Sequence, residues 1–172
     1  MNDAGVRPFS IRALLEDRAR YLVPMYQRNY AWGEGEITQL LQDVLDYQQK
    51  LVSGKGPQTY YIGTLVVFAR DDGSFEVIDG QQRFTTLSLL ANWLKHHAID
   101  SVDMSWYQTI NLAFESRPIS SHTFERLWQG VAPYDLRGST FNEGLVNGFE
   151  LIDKAMADLG LVGAKLSAFC DY

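Results

Sequence analysis

The stretch 74–94 changes its periodicity once, and that change constrains the fold more than any other feature of the chain. Residues 74–78, Ser-Phe-Glu-Val-Ile, read as a strand, and Phe84, Leu87, Leu90, Ala91 and Leu94 then recur on one helical face. Only Asp79-Gly80 separates the two patterns, so a strand must pass into a helix almost without a connection. Upstream, residues 60–69 are rich in Tyr, Ile and Val, and Arg70-Asp71-Asp72-Gly73 divides them from 74–78. Asp-Gly between two apolar runs predicts a hairpin.

The remaining elements follow from the same signals. Ser10 is placed to cap a short helix whose stripe is Ile11, Leu14, Leu15 and Ala19. Tyr21-Leu22-Val23 reads as a brief strand closed by Pro24, which cannot donate to a ladder. Ile37, Leu40, Leu41, Val44, Leu45 and Leu51 mark a helix over 34–51, stopped by Ser53-Gly54. Further on, 110–114 suggests a strand, and Ser120 or Ser121 is a cap for a helix bearing Phe124, Leu127 and Trp128. Phe141, Leu145, Phe149, Ile152, Met156 and Leu159 trace an amphipathic helix. Residues 164–172 carry neither a cap nor a polar tail, as expected of a chain cut within a larger protein.

Composition excludes several classes. With 46% hydrophobic residues in 172, the chain can bury a core, and no repeat or linker divides it, so one domain is predicted over 1–172. Within it, 1–100 is the expected core and 101–172 a mostly helical extension. No apolar run approaches the roughly 20 residues that span a bilayer, and MNDAGVRPFS lacks a secretory pattern. These features point to a soluble, cytoplasmic chain with no membrane partner. A single cysteine, Cys170, and three histidines make a Cys/His zinc site an unpromising reading, so no metal ligand is assigned. The net charge of −6 excludes a general basic coat for nucleic acid. Even so, Arg7, Arg12, Arg18, Arg20 and Arg28 outnumber Asp3, Glu16 and Asp17 before Tyr30.

Two segments carry candidate chemistry. A glycine at a helix N-terminus lets an anion approach unpaired amides at the positive end of the helix dipole. Asp79-Gly80-Gln81-Gln82-Arg83 adds a guanidinium in the first turn, where a cation is misplaced for the helix alone. Bound phosphate offsets that mismatch, Gln81 and Gln82 offer neutral donors and acceptors, and Asp79 can hold a hydroxyl or a water. The plainer reading stays open: Asp79 caps the helix, Gly80 only permits the turn, and Arg83 pairs with a surface carboxylate. In the second segment, Pro24-Met25-Tyr26-Gln27-Arg28-Asn29-Tyr30-Ala31-Trp32, aromatics, an amide and an arginine cluster outside any helical period. Such groups stack on bases and bind phosphate. Tyr30 and Trp32 are read first as core aromatics.

Taken in order, Pro24-x-Tyr26-Gln27-Arg28-x-Tyr30-x-Trp32, then Tyr61-Ile62-Gly63-Thr64, then Ile78-Asp79-Gly80-Gln81-Gln82-Arg83-x-Thr85-Thr86-Leu87 resemble the N-terminal domain of GmrSD-type restriction proteins. The resemblance covers most of the chain and is weaker beyond His97. It implies an α+β fold of the ParB/sulfiredoxin-like kind, a small mixed sheet flanked by helices, with a helical C-terminal part. It also implies a domain that binds a nucleoside triphosphate (GTP or ATP) with Mg²⁺ or another divalent cation, and hydrolyses it in a defence system against modified foreign DNA. Carried over by position, Asp79, Gly80, Gln81, Gln82 and Arg83 form the phosphate box, with Thr85 also counted as nucleotide-binding. Tyr26, Gln27 and Arg28 form the facing wall. Asp79, Gln82 and Arg83 take the catalytic roles, Asp79 or Gln82 orienting water and Arg83 neutralising charge.

Phe84 departs from the leucine more usual at its position. The turn has no cysteine, which excludes sulfiredoxin chemistry. His96-His97 and His122 lack a nuclease motif, so DNA is an expected partner only through the full-length protein or a nuclease region. Gly54-Lys55-Gly56-Pro57 lacks the spacing of a phosphate loop. The competing reading is a ParB-like module that senses DNA modification without hydrolysis, motivated by the early arginines and opposed by the overall acidity.

Overall fold

The computed structural model describes residues 5–55 and 59–171. Pro57, used above against a phosphate loop, and the terminal Tyr172 lie outside the described residues, as do Met1 to Ala4. The fold is α+β: four strands and six α-helices among the described residues.

The sheet is built on its shortest apolar strand. β1 (Tyr21–Val23) is buried at every position and lies between β3 (Phe75–Asp79) and β4 (Leu112–Phe114), parallel to both. β2 (Val66–Ala69) pairs antiparallel with β3, giving the order β2-β3-β1-β4. The hairpin closes at Arg70-Asp71-Asp72-Gly73, where Gly73 takes a positive φ of 82°. The predicted strand over 60–69 is regular only from Val66; residues 60–65 cross the end of the hairpin as an irregular segment.

α3 (Gln81–His97) is the central helix. The sequence marks one apolar face, yet Thr85, Thr86, Ser88, Leu89, Asn92 and Trp93 on its other faces are also buried. Its hydroxyls are reabsorbed by the helix: Thr85, Thr86 and Ser88 each donate to the carbonyl four residues back. This explains how the three hydroxyls survive on the buried faces, whereas the buried Asn92 amide has no hydrogen-bond partner among the described residues. Covering the central helix is α5 (Glu143–Asp158), which packs on α3 and on α2 (Glu34–Val52), while α4 (Pro118–Trp128) packs on α5 and β4. α1 (Ile11–Glu16) is capped as expected, Ser10 Oγ accepting from Ala13 N at 3.0 Å. α6 (Gly163–Cys170) places Leu166 and Phe169 in the core, so the C-terminal stretch is a packed helix.

One helix boundary differs from expectation. α4 begins at Pro118 rather than after Ser120, because proline at the first helical position needs no amide partner. The sheet is completed beyond residue 100 by β4, so the helical extension shares the core of the first hundred residues. No helix among the described residues is long and apolar enough to cross a membrane.

Candidate functional site

At the end of β3 the chain turns at Gly80, with φ 89° and ψ 7°, a left-handed conformation costly to any residue with a Cβ. A Cβ there would also lie 2.7 Å from the Thr64 carbonyl oxygen, so the irregular 60–65 segment sits directly on the turn. The first helical bond runs from Phe84 N to Gly80 O at 3.0 Å. The amides of Gln81, Gln82 and Arg83 are thus left without intrahelical acceptors. No side chain caps this end and no acidic residue lies in its first turn. Asp79 is therefore not a cap, which removes one part of the plainer reading.

Facing the turn is the segment 24–32, and side-chain amides sew the two together. Gln82 Nε2 donates to Asn29 O at 3.1 Å, and its Oε1 accepts from Ala31 N at 2.8 Å. Gln81 Nε2 donates to Arg28 O at 3.3 Å, and Gln27 Nε2 to Ile78 O at 2.8 Å. Each bond bridges segments more than 50 residues apart in sequence. From the far side the Arg117 guanidinium donates to the carbonyls of Met25, Gln27 and Arg28.

Between turn and segment opens a hollow of about 470 Å³, lined by Gln27, Arg28, Trp32, Asp79, Gly80, Gln81, Gln82 and Arg83. That volume lies within the range of small-molecule sites. Arg28 and Arg83 reach it from different segments, and neither forms an ion pair among the described residues. The pairing of Arg83 with a surface carboxylate, the other part of the plainer reading, is not found. Instead its guanidinium lies over Gly63, where a Cβ would come within 2.5 Å of Nη1. Its charge also works against burial and Asp43, which together raise the Tyr60 pKa.

The hollow gathers most, but not all, of the residues singled out in sequence. Tyr26 lies outside it: its hydroxyl donates to Glu76 on the exposed face of the hairpin. Glu76 in turn holds Arg70, whose fork also grips Glu115 at 2.7 and 3.0 Å. Thr85 is buried beneath the turn, donating to Gln81 O at 2.8 Å, and does not reach the hollow. Gln82 lines the hollow, but both polar atoms of its amide are engaged by the opposite backbone. It clamps the two segments together with one hydrogen bond at each polar atom of its amide. Tyr30 is core, as expected, with its hydroxyl 2.8 Å from Thr86 Oγ1 and its pKa pushed up to about 12 by burial. Its ring packs where a Cβ on Gly148 would fall 2.5 Å from Cε1. Trp32 is only half-buried and borders the hollow.

Sequence reasoning passed over two contributors. Gly63 stood in the quoted Tyr61-Ile62-Gly63-Thr64 but gave no hint that it receives Arg83. Arg117 lies beyond His97, where it fits the family resemblance only loosely, and nothing in the sequence assigned it a partner.

The fold and the hollow define a mixed-sheet domain whose strand–turn–helix junction opens onto a hollow that two arginines line. The family model for the GmrSD restriction endonuclease, N-terminal domain, matches residues 11–158. The chain belongs to that family, and so forms part of a restriction system. No curated protein and no solved structure matches it.

Proposed function

We propose that this domain binds a nucleoside triphosphate in the hollow at Gly80 and hydrolyses it, as a regulatory step in restriction of modified DNA. The observation that carries the reading is the meeting of two guanidiniums, Arg28 and Arg83, with no ion-pair partner among the described residues, at a helix N-terminus whose first amides have no intrahelical acceptor. Charge placed against the helix dipole, without an internal counter-ion, is what a phosphate site needs. The ParB/sulfiredoxin-like frame implied by the motifs suits the same assignment.

In this reading the amides of Gln81 to Arg83 donate to phosphate oxygens while Arg28 and Arg83 clamp opposite sides of the chain of phosphates. Phosphoryl transfer asks the protein mainly to position the reactants and to neutralise developing charge. Asp79 is the one carboxylate lining the hollow. It can accept a hydrogen bond from a water at the rim, and Gln82, with one N–H and one lone pair of its amide still open, can assist it. No group of three His, Cys, Asp or Glu that could hold a metal exists among the described residues. This donor set fits a cation such as Mg²⁺, which rests mainly on phosphate and water oxygens with one carboxylate, and supplies further charge neutralisation when bound. Trp32 offers an aromatic wall beside the phosphates.

Calorimetric titration of the folded chain with GTP and with ATP, each with Mg²⁺, tests the proposal, together with release of inorganic phosphate. Saturable binding of either nucleotide is expected. Absence of binding to both, with the chain folded by circular dichroism, overturns it.

A further inference from the structure

We propose that Arg117 is a positioning residue for the anion site, setting the place of Arg28 through the backbone without touching the ligand. This inference rests on the nucleotide reading and extends it to a residue on α4.

The geometry is specific. Residues 24–28 bend so that three carbonyls, those of Met25, Gln27 and Arg28, converge on one guanidinium. Arg117 Nη2 lies 3.0 Å from Met25 O and also contacts Gln27 O, while Nη1 lies 3.5 Å from Arg28 O. The last of these carbonyls also accepts Gln81 Nε2 at 3.3 Å. The peptide that follows the Arg28 side chain is therefore held from two helices at once, α4 and α3. A planar fork with five donors can serve three acceptors in one plane, whereas a lysine ammonium on a flexible stem cannot.

The chain leading to Arg117 is shaped for this task. β4 ends at Phe114, Glu115 N donates to Val23 O at 2.9 Å, and Ser116 then adopts φ 55°. It is the one non-glycine residue with positive φ among those described. Arg117 follows as the N-cap of α4 with an extended φ of −127°, and Pro118 begins the helix. Left-handed backbone at a serine is disfavoured, and it persists where surrounding contacts over-determine it. Here Ser116 lies between two anchored neighbours, Glu115, held by Val23 O and Arg70, and Arg117, held by its three carbonyls. Arg117 makes no ion pair among the described residues, so its charge is directed wholly at these carbonyls.

A residue acting through Arg28 leaves a distinct signature in a double-mutant cycle. The probe is inorganic tripolyphosphate with Mg²⁺, titrated calorimetrically, with GTP or ATP as a parallel ligand. Arg117→Lys and Arg117→Gln are expected to weaken binding about 10-fold in the native background, and less than about 2-fold when Arg28→Ala is already present. The dependence of affinity on salt should flatten in Arg117→Lys as it does in Arg28→Ala, since one phosphate contact is lost in each. A merely structural role would leave that slope unchanged and weaken both backgrounds alike, and this result overturns the proposal. Equal binding by native chain and variants overturns it too. Failure of the native chain to bind either probe instead sinks the nucleotide reading itself, and Arg117's role with it. If the Arg117 variants do not fold, Ser116→Gly is the milder test: it keeps the guanidinium but loosens its tether. A 2- to 5-fold weakening that vanishes in the Arg28→Ala background supports the assignment, and unchanged binding refutes it.

Discussion

Arg83 is half-buried, lies over a glycine and makes no ion pair among the described residues. Its removal should therefore cost the fold little and the ligand much. Arg83→Ala is expected to weaken triphosphate binding about 10- to 100-fold, the scale of a lost charge-assisted hydrogen bond. Its melting temperature should stay within about 2 °C of the parent, since substitutions away from structural contacts change little. Calorimetry and a thermal melt on the same sample measure both. Gln82 should behave in the opposite way. Gln82→Leu leaves the Ala31 amide and the Asn29 carbonyl without their partner, and is expected to lower stability by about 1–3 kcal/mol in urea unfolding. The residue types of this site were legible in sequence; their division between ligand and scaffold was not. An amide side chain reads the same whether it faces a phosphate or a backbone 50 residues away, and only the register of the two segments decides. Tyr26 and Thr85 lie outside the hollow, Tyr26 bonded to Glu76 across the segments and Thr85 to Gln81 O one helical turn back.

At the level of elements, the junction of β3 and α3 and the clasp beside it respond to different perturbations. Gly80→Ala combines a left-handed φ with a Cβ 2.7 Å from the Thr64 carbonyl, a backbone atom that cannot swing aside. A loss of about 2–4 kcal/mol in chemical denaturation is expected. The clasp responds to pH. Hydrogen bonds from Tyr26 and Arg70 hold the Glu76 carboxyl below its ordinary value, and those from Arg70 do the same for Glu115. A carboxyl whose pKa is depressed in the fold stabilises it fully above the unfolded value, and this contribution fades as pH falls. Stability should therefore decline as pH drops below about 4.5, the ordinary glutamate value. Glu115→Gln should flatten that decline, as read by denaturant midpoints across pH. The junction itself was plain in sequence because two periodicities met there. The clasp was not, because Arg70 sits in a turn and Glu115 beyond a short strand, and neither position announces its partner.

Across the whole molecule, burial organises the site. α3 is enclosed on nearly every side, so its N-terminus is fixed by the core while its first turn faces the hollow. Short β1 was recognisable from three apolar residues before a proline, and the hairpin from Asp-Gly, since local rules govern both. The late strand β4 was read too, within 110–114, but its pairing with β1 and the packing of α5 on α2 and α3 join segments distant in sequence, which composition and periodicity do not encode. The central claim is that two remote segments converge to grip one triphosphate. A crystal structure of the chain with a non-hydrolysable nucleoside triphosphate and Mg²⁺ tests it most directly. Phosphate oxygens are expected within hydrogen-bonding distance of the Gln81 to Arg83 amides and of both the Arg28 and Arg83 guanidiniums. A nucleotide bound elsewhere, or phosphates touched by neither arginine, would contradict it.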